Sequence, residues 1–500
     1  MFELPNDLYS RAQTRELDHI AISQYQLPAA ELMRRAAAAA LACLQSQWPN
    51  SYQLLIICGQ GNNGGDGYEL ARQAQQHGYA ITVVEIGATE KMSPETQQAR
   101  QAMLRAGIQT QSFNGTLPTD SEVVIDALFG TGLARPVSGT YATVIQAINQ
   151  LNKPVLALDI PSGIDADTGH RQGFAVNASV TISFIGLNIG LFSENAADYV
   201  GKVAYHSLAV PTAVFAAVTP TAQRIRLDQP SYLALLAPRQ RHSHKGHFGH
   251  SVLIGGDLGM LGAIRLAAEA AARSGSGLVS VATHQQHAAL ITIARPEIMC
   301  HGVDNAATLS PLLDKASVLA IGPGLGQSSW SNALFHAVIT SEKPLVVDAD
   351  GLNLLAAHPH YCDHWILTPH PAEAARLLGC TTQVIQHDRL FAIRQLQQRY
   401  GGVIVLKGTA TLIYDGQQTI KLSHYGNPGM SCGGMGDTLT GIITGLVAQG
   451  LALTDAAALG VMLHGRAADL AAEQGERGLL ASDLLIPLRR LLNPRLQVLS

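Results

Sequence analysis

Apolar runs that stop abruptly at glycine or aspartate constrain this chain more than any other feature. Leu54-Leu55-Ile56-Ile57-Cys58 runs straight into Gly59-Gln60-Gly61. Val123-Val124-Ile125-Asp126-Ala127-Leu128-Phe129 enters Gly130-Thr131-Gly132, and Pro154-Val155-Leu156-Ala157-Leu158-Asp159-Ile160 enters Pro161-Ser162-Gly163. Uninterrupted apolar runs of this length read as strands buried on both faces, as in a parallel sheet covered by helices. The Ala-rich residues 34–46 and residues 68–77 are predicted helices, and residues 80–86 the strand that follows. The pattern resumes at Ser251-Val252-Leu253-Ile254 before Gly255-Gly256, with a helix predicted over 260–274 and strands beginning at Leu278, Ser317, Leu345, Trp365 and Val403. The fold class is therefore α/β, in two successive sheets.

A chain of 500 residues is too long for one core. The stretch 211–230 has no sustained period and three prolines, which divides the chain into a domain at 1–215, a linker at 216–229 and a domain at 230–500. Net charge is -4 with no long basic run, so the electrostatic footprint of a nucleic-acid or anionic-membrane binder is missing. Six scattered cysteines with no C-x-x-C pair suit a reducing compartment and argue against a disulfide framework or a structural zinc site. Glu3 and Asp7 interrupt any signal-peptide pattern, and the uncharged tract 438–454 is broken by glycines and falls short of a span. The expected location is cytoplasmic.

In open parallel sheets, ligands bind at the carboxyl ends of the strands, and the acids of this chain collect there. Asp66 lies in the loop Gly61-Asn62-Asn63-Gly64-Gly65-Asp66-Gly67, where Asn and Asp side chains add to backbone donors and suit a nucleotide phosphate or a hard cation. Asp126 and Asp159 tip the next two strands. Three unpaired carboxylates on one rim repel, a conflict that a cation or a catalytic use resolves. Arg135 is either a phosphate contact or a solvated surface residue.

The second half repeats the logic with other residues. Gly426-Asn427-Pro428-Gly429-Met430-Ser431-Cys432-Gly433-Gly434-Met435-Gly436-Asp437 precedes an apolar run, so inward-turned amides of Gly433, Gly434 and Gly436 and a helix N-terminus are expected to cradle an anion beside Asp437, a base or a metal contact. Strand ends also carry Gly322-Pro323-Gly324-Leu325-Gly326, Asp348-Ala349-Asp350-Gly351, Thr368-Pro369-His370-Pro371-Ala372-Glu373 and Lys407-Gly408-Thr409-Ala410-Thr411. His370 either meets a ligand or caps the next helix. Arg239, Arg241, Lys245 and four histidines in 238–250 are read as a mobile basic loop touching substrate phosphate, or as plain surface.

Residues 50–210 resemble the NAD(P)H-hydrate epimerase domain through N-N-G-G-D, D-A-L-F-G-T-G and D-I-P-S-G, all intact and in order. Residues 230–495 resemble the ribokinase-like NAD(P)H-hydrate dehydratase domain through G-P-G-L-G, D-A-D-G, T-P-H-P-x-E, L-K-G and G-x-G-D. The resemblance implies a Rossmann-like three-layer α/β/α domain followed by a ribokinase-like α/β domain. It implies that Asn62, Asn63, Gly64, Gly65, Asp66, Gly130, Thr131, Gly132, Leu133, Ala134, Arg135, Pro136 and Asp159 bind the hydrated nucleotide, that Asn63, Asp126 and Ser162 ligate K+, and that Asp159 transfers the proton. In the second domain it places Gly262, Gly324, His370 and Asp437 on the hydrate and Lys407, Gly408, Thr409, Ala410, Thr411 and Gly436 on the nucleotide, with Asp437 catalytic. One departure stands out: Met430-Ser431-Cys432-Gly433-Gly434-Met435-Gly436-Asp437 replaces a family pattern M-A-T-G-G-T-G-D, losing two hydroxyls and gaining one.

The implied chemistry explains why both activities share a chain. Hydration of reduced nicotinamide leaves a C6 hydroxyl in either configuration, and hydroxide is a poor leaving group. A phosphoryl group placed on that oxygen leaves easily, pushed by the ring nitrogen; an epimerase supplies whichever epimer the dehydratase takes. The implied partners are NADHX and NADPHX, with ADP and Mg2+ as phosphoryl donor, in a homo-oligomer. The competing readings are a small-alcohol or vitamin-precursor kinase fused to a regulatory domain, and a non-catalytic scaffold.

Overall fold

The computed structural model describes residues 4–133, 135–417 and 419–494. The chain divides into two compact units, 1–223 and 224–500.

The first unit contains β1 (Gln53–Cys58), β2 (Ala80–Glu85), β3 (Thr110–Ser112), β4 (Val123–Ala127), β5 (Val155–Leu158), β6 (Val180–Phe184) and β7 (Lys202–His206), of which β1, β2, β4 and β5 were expected from the sequence. They pair in the order β3-β2-β1-β4-β5-β6-β7, every pair parallel, with Leu54 opposite Val123 and Cys58 opposite Ala127. Period-two alternation explains why the run 54–58 has no polar break: Leu54, Ile56 and Cys58 enter one core, while Leu55 and Ile57 enter another on the opposite face. Helices α1 (Arg11–Ser23), α2 (Ala29–Gln47), α3 (Asn62–Gln76), α4 (Pro94–Arg105) and α5 (Gly139–Gln150) cover the two faces. Ser10 starts α1 with a capping box, its hydroxyl accepting the Gln13 N–H at 3.3 Å while the Gln13 carboxamide accepts the Ser10 N–H at 2.9 Å.

Here the structure corrects the expected loop. Asn62 to Gly67 are not loop but the first turns of α3. None of Gly59, Gly61, Gly64, Gly65 or Gly67 has positive φ. Close approach requires four of the five: a Cβ on Gly59 would overlap the Leu128 carbonyl oxygen, one on Gly64 the Gly59 carbonyl oxygen and one on Gly65 the Met33 side chain, and one on Gly67 would lie 2.7 Å from the Ala127 Cβ and 2.8 Å from the Cys58 Sγ, while Gly61 faces open space.

The second unit contains β8 (His250–Ile254), α6 (Leu261–Ser274), β9 (Leu278–Thr283), β10 (Met299–Gly302), β11 (Val318–Ile321), β12 (Leu345–Val347), β13 (Trp365–Leu367), α7 (Pro371–Leu378), α8 (Arg389–Tyr400), β14 (Val403–Leu406), β15 (Thr411–Tyr414), β16 (Ile420–Ser423), α9 (Met435–Ala448) and α10 (Leu453–Ala471). The strands run β16-β15-β14-β13-β12-β11-β8-β9-β10, parallel from β14 through β10 and antiparallel at β14–β15 and β15–β16. Gly441 and Gly445, in the apolar run after Asp437, pack helices. A Cβ on Gly441 would overlap the Ala267 carbonyl oxygen, and one on Gly445 would lie 2.6 Å from that of Ala271, so α9 and the Ala-rich α6 meet backbone to backbone. Among the described residues no helix is long and apolar enough to cross a membrane.

Candidate functional site

In the first unit the strand tips open into a cavity of about 790 Å³. Of the expected substrate residues, Asn62, Asn63, Asp66, Gly130, Thr131, Gly132, Leu133, Arg135 and Asp159 line it; Gly64, Gly65 and Pro136 do not, and Ala134 lies outside the described residues. Asp159 has φ +67, uncommon for a residue with a Cβ but tolerated best by Asn and Asp. Its Oδ2 accepts the Thr131 N–H at 2.9 Å. That oxygen lies 2.6 Å from where a Cβ on residue 130 would stand, which is why Gly130 is glycine. Burial pushes the Asp159 carboxyl above its ordinary range, partly offset by the Thr131 bonds. Asp66 is pushed well up by burial and by the charges of Asp159 and Asp18.

Asp126 and Ser162 come together at the tips of β4 and β5. Asp126 Oδ1 accepts the Ser162 hydroxyl at 2.6 Å and Oδ2 accepts its N–H at 2.7 Å. Burial pushes Asp126 up to about 6 despite those bonds. Asn63 is 7% exposed, and both atoms of its carboxamide lack a partner. A buried carboxylate, a hydroxyl and an unpartnered carboxamide are donor types that suit a hard cation.

The sequence missed the helical wall. α1 and α2 contribute Thr14, Arg15, Asp18 and Met33 to the cavity. Asp18 belongs to no loop motif; its only signal is the i, i+4, i+8 stripe Thr14–Asp18–Ile22 on a capped helix.

In the second unit, β12 ends at Asp348, which is 1% exposed and receives the Lys407 Nζ at 2.7 Å and the Thr440 hydroxyl at 2.8 Å. Burial favours a neutral Asp348, but Lys407 outweighs it and holds the carboxyl below its usual range. Burial likewise opposes the Lys407 charge, yet Asp348 and Glu373, the latter 3.8 Å away, keep the ammonium above its ordinary range. Asp437 is the third residue of α9 after Gly434, whose φ is +92. Burial, then the charge of Asp348, pushes Asp437 up to about 6 against the pull of Lys407. Gly436 lies beside this pair, since a Cβ there would stand 3.3 Å from the Lys407 Nζ. Of the three glycines expected to form the anion nest, only Gly434 has positive φ, so the N–H groups facing a ligand here are those of a helix start.

Gly324 has φ +57 and Gly262 lies in the first turn of α6 with open space where a Cβ would be. His370 caps α7: its Nδ1 accepts the Ala372 N–H at 3.0 Å and its N–H donates to Glu373 Oε2 at 2.7 Å. The other ring nitrogen points away from the cap, 3.5 Å from Glu373 Oε1. Thr409 and Ala410 join Gly408 and Thr411 in the turn between β14 and β15, and the Thr411 hydroxyl donates to the Gly408 carbonyl at 2.9 Å. Buried Arg389 of α8, which the sequence reading missed, holds that turn by donating to the carbonyls of Leu406, Lys407 and Ala410 at 3.0–3.2 Å.

The basic loop 238–250 is corrected. Arg239 stacks on Phe248, 3.5 Å from its ring centroid, and donates to the Gly275 carbonyl and Gln449, at the carboxyl ends of α6 and α9. Asp437 is at the other end of α9, roughly 20 Å away at 1.5 Å per residue. Within one chain this loop does not reach the rim.

Two mostly parallel sheets, each presenting buried carboxylates at its strand tips and the second adding a helix start and a buried lysine, are the arrangement of an α/β enzyme. A family model described as NAD(P)H-hydrate dehydratase matches residues 251–489, and one described as YjeF-related protein N-terminus matches residues 29–190. The bifunctional NAD(P)H-hydrate repair enzyme of Coxiella burnetii is 48% identical over 97% of this chain and 99% of its own length. That of Escherichia coli is 41% identical over 98% and 95%. A ribokinase-like superfamily protein from Enterococcus faecalis, 28% identical, covers 55% of this chain and 97% of its own with a TM-score of 0.51. The chain belongs to the bifunctional NAD(P)H-hydrate repair enzymes, with an epimerase domain followed by a dehydratase domain.

Proposed function

We propose that the first unit interconverts the R and S hydrates of NADH and NADPH at C6, with Asp159 transferring the proton, and that the second dehydrates the S hydrate using ADP, giving AMP and phosphate. The observation that carries this reading is the pair of separate acid sites: Asp159 in a cavity of the first unit, and Asp437 beside Lys407 at the start of α9 in the second. Asp437, raised toward neutrality, takes the C6 hydroxyl proton. The oxygen attacks the terminal phosphorus of ADP and AMP departs; the phosphorylated oxygen then leaves C6 as phosphate as the ring nitrogen's lone pair forms C6=N1, and loss of a proton from C5 restores the C5=C6 double bond. The N–H groups of α9 and the Lys407 ammonium stabilise the charge on the transferring phosphoryl group. Lys407, Gly408, Thr409, Ala410, Thr411 and Gly436 hold the nucleotide; Gly262, Gly324 and His370 hold the hydrate.

Asn63, Asp126 and Ser162 would hold K+, whose charge would balance the buried Asp126 carboxylate. Mg2+ would arrive with ADP, its coordination filled by phosphate oxygens and water; among the described residues no group of three His, Cys, Asp or Glu side chains is placed to hold a metal ion alone. Free cysteines and a net charge of -4 favour the cytoplasm and small-molecule partners, with a homo-oligomer as the expected assembly.

The test supplies mixed hydrate epimers with ADP and Mg2+ and follows recovery of reduced-nicotinamide absorbance. Asp437→Asn is expected to stop recovery of both epimers. Asp159→Asn is expected to recover the S hydrate at the wild-type rate and the R hydrate only at its spontaneous rate. A stable phosphorylated hydrate would instead make the second unit a kinase and sink the proposal.

A further inference from the structure

Asp18 carries no role in the reading above, yet it opens onto the same cavity as Asp66 and Asp159. Its direction is set by packing: Leu17 and Ala21 on the adjoining face of α1 are fully buried, which turns the Thr14–Asp18–Ile22 stripe to the cavity. Among the described residues Asp18 receives no hydrogen bond and forms no ion pair. Asn63, more than nine-tenths buried and with both carboxamide atoms unpartnered, lines the same space, so the cavity is built for a polar ligand.

The epimerisation proposed above, on which this inference rests, is a two-faced problem. On one face the C6 hydroxyl takes a proton from a carboxylic acid and departs as water, the C6–O bond breaking as the ring nitrogen's lone pair forms C6=N1. On the other face a water adds to the planar carbon and gives its proton to a carboxylate. One carboxyl cannot serve both faces in one binding pose. Asp159 comes from the sheet rim and Asp18 from the helical wall. We propose that Asp18 is the second catalytic carboxyl of the epimerisation, exchanging a proton with the C6 oxygen on the ring face turned from Asp159.

The two exchange roles with the direction of reaction, which requires that they share a proton near neutral pH. Burial, then the Asp159 charge, pushes Asp18 up to about 7, and burial raises Asp159, as such a pair requires. The other charged or titratable groups on the cavity walls are Arg15 of α1, Asp66 of α3, Glu95 of α4, Tyr141 of α5 and Arg135 in the segment before α5.

The test uses the full chain with K+ present and measures conversion of purified R hydrate, with S-hydrate dehydration as a control in the same molecule. For Asp18→Asn, kcat for epimerisation is expected to fall at least about a hundredfold with KM near wild type. The bell-shaped pH profile loses one limb, and dehydration is unchanged. For Asp18→Ala, added formate is expected to restore part of the rate, which only a folded protein missing a catalytic carboxyl can show. Wild-type kcat in Asp18→Asn, or a loss confined to KM with both pH limbs kept and no formate rescue, overturns the proposal. If the wild-type chain does not interconvert the epimers, the parent reading has failed; if it does and Asp159→Asn is dead while Asp18→Asn is not, this inference alone has failed.

Discussion

The role proposed for Asp437 rests on how its surroundings tune a carboxyl. Burial and the charge of Asp348 push it up to about 6, and Lys407 limits the rise, so it is mostly ionised at pH 7 yet basic enough to hold a proton. In the proposed mechanism the ionised form is the active one, so the dehydration rate at saturating ADP should rise with pH through about 6 and then level off. A rate that stays flat between pH 5 and 8 would remove Asp437 as the titrating base. Arg389 acts at one remove, since its guanidinium holds the turn that carries Lys407 and Thr411. Arg389→Gln cannot reach all three carbonyls and is expected to raise the KM for ADP about tenfold, equivalent to about 1.4 kcal/mol, with the KM for the hydrate near wild type. Asp437 was legible in the sequence because glycine and acid types crowd one short stretch. Arg389 and Asp18 were not, because each lies on a helix far along the chain from the loop or rim it serves.

At the scale of elements, most strands and their acid-bearing tips could be read directly. Apolar runs of strand length have one stable home, a sheet buried on both faces. The glycines were harder, because composition does not separate backbone freedom from close approach. In the turns of α3 at 62–67 and in the body of α9 they serve approach. Gly441→Ala should therefore destabilise the second unit by about 2 kcal/mol through overpacking, although alanine normally favours a helix interior by up to about 1 kcal/mol. The denaturant midpoint measures it, and a stabilised variant would show that α6 and α9 separate freely. At the first rim, replacing K+ by choline should lower both the epimerisation rate and the melting temperature, and Asp126→Asn should abolish that response.

For the whole molecule, each candidate site is assembled from residues of one unit, so the two activities should complement between chains. A mixture of Asp159→Asn and Asp437→Asn proteins is expected to recover both epimers at a rate that rises with the concentration of each. Recovery of R hydrate at only the spontaneous rate would require both sites on one chain. The α/β class, the two successive sheets and the acids at their strand tips were legible along the chain, because strand length, burial and turn chemistry are written in neighbouring residues. Three-dimensional packing was needed to show that Asp18 shares a cavity with Asp159, that Arg389 holds the turn after β14 and that Arg239 of the basic loop 238–250 packs at the far end of α9. Those depend on which helix face turns inward and which end of a helix meets which loop, and packing between residues distant in the chain sets both.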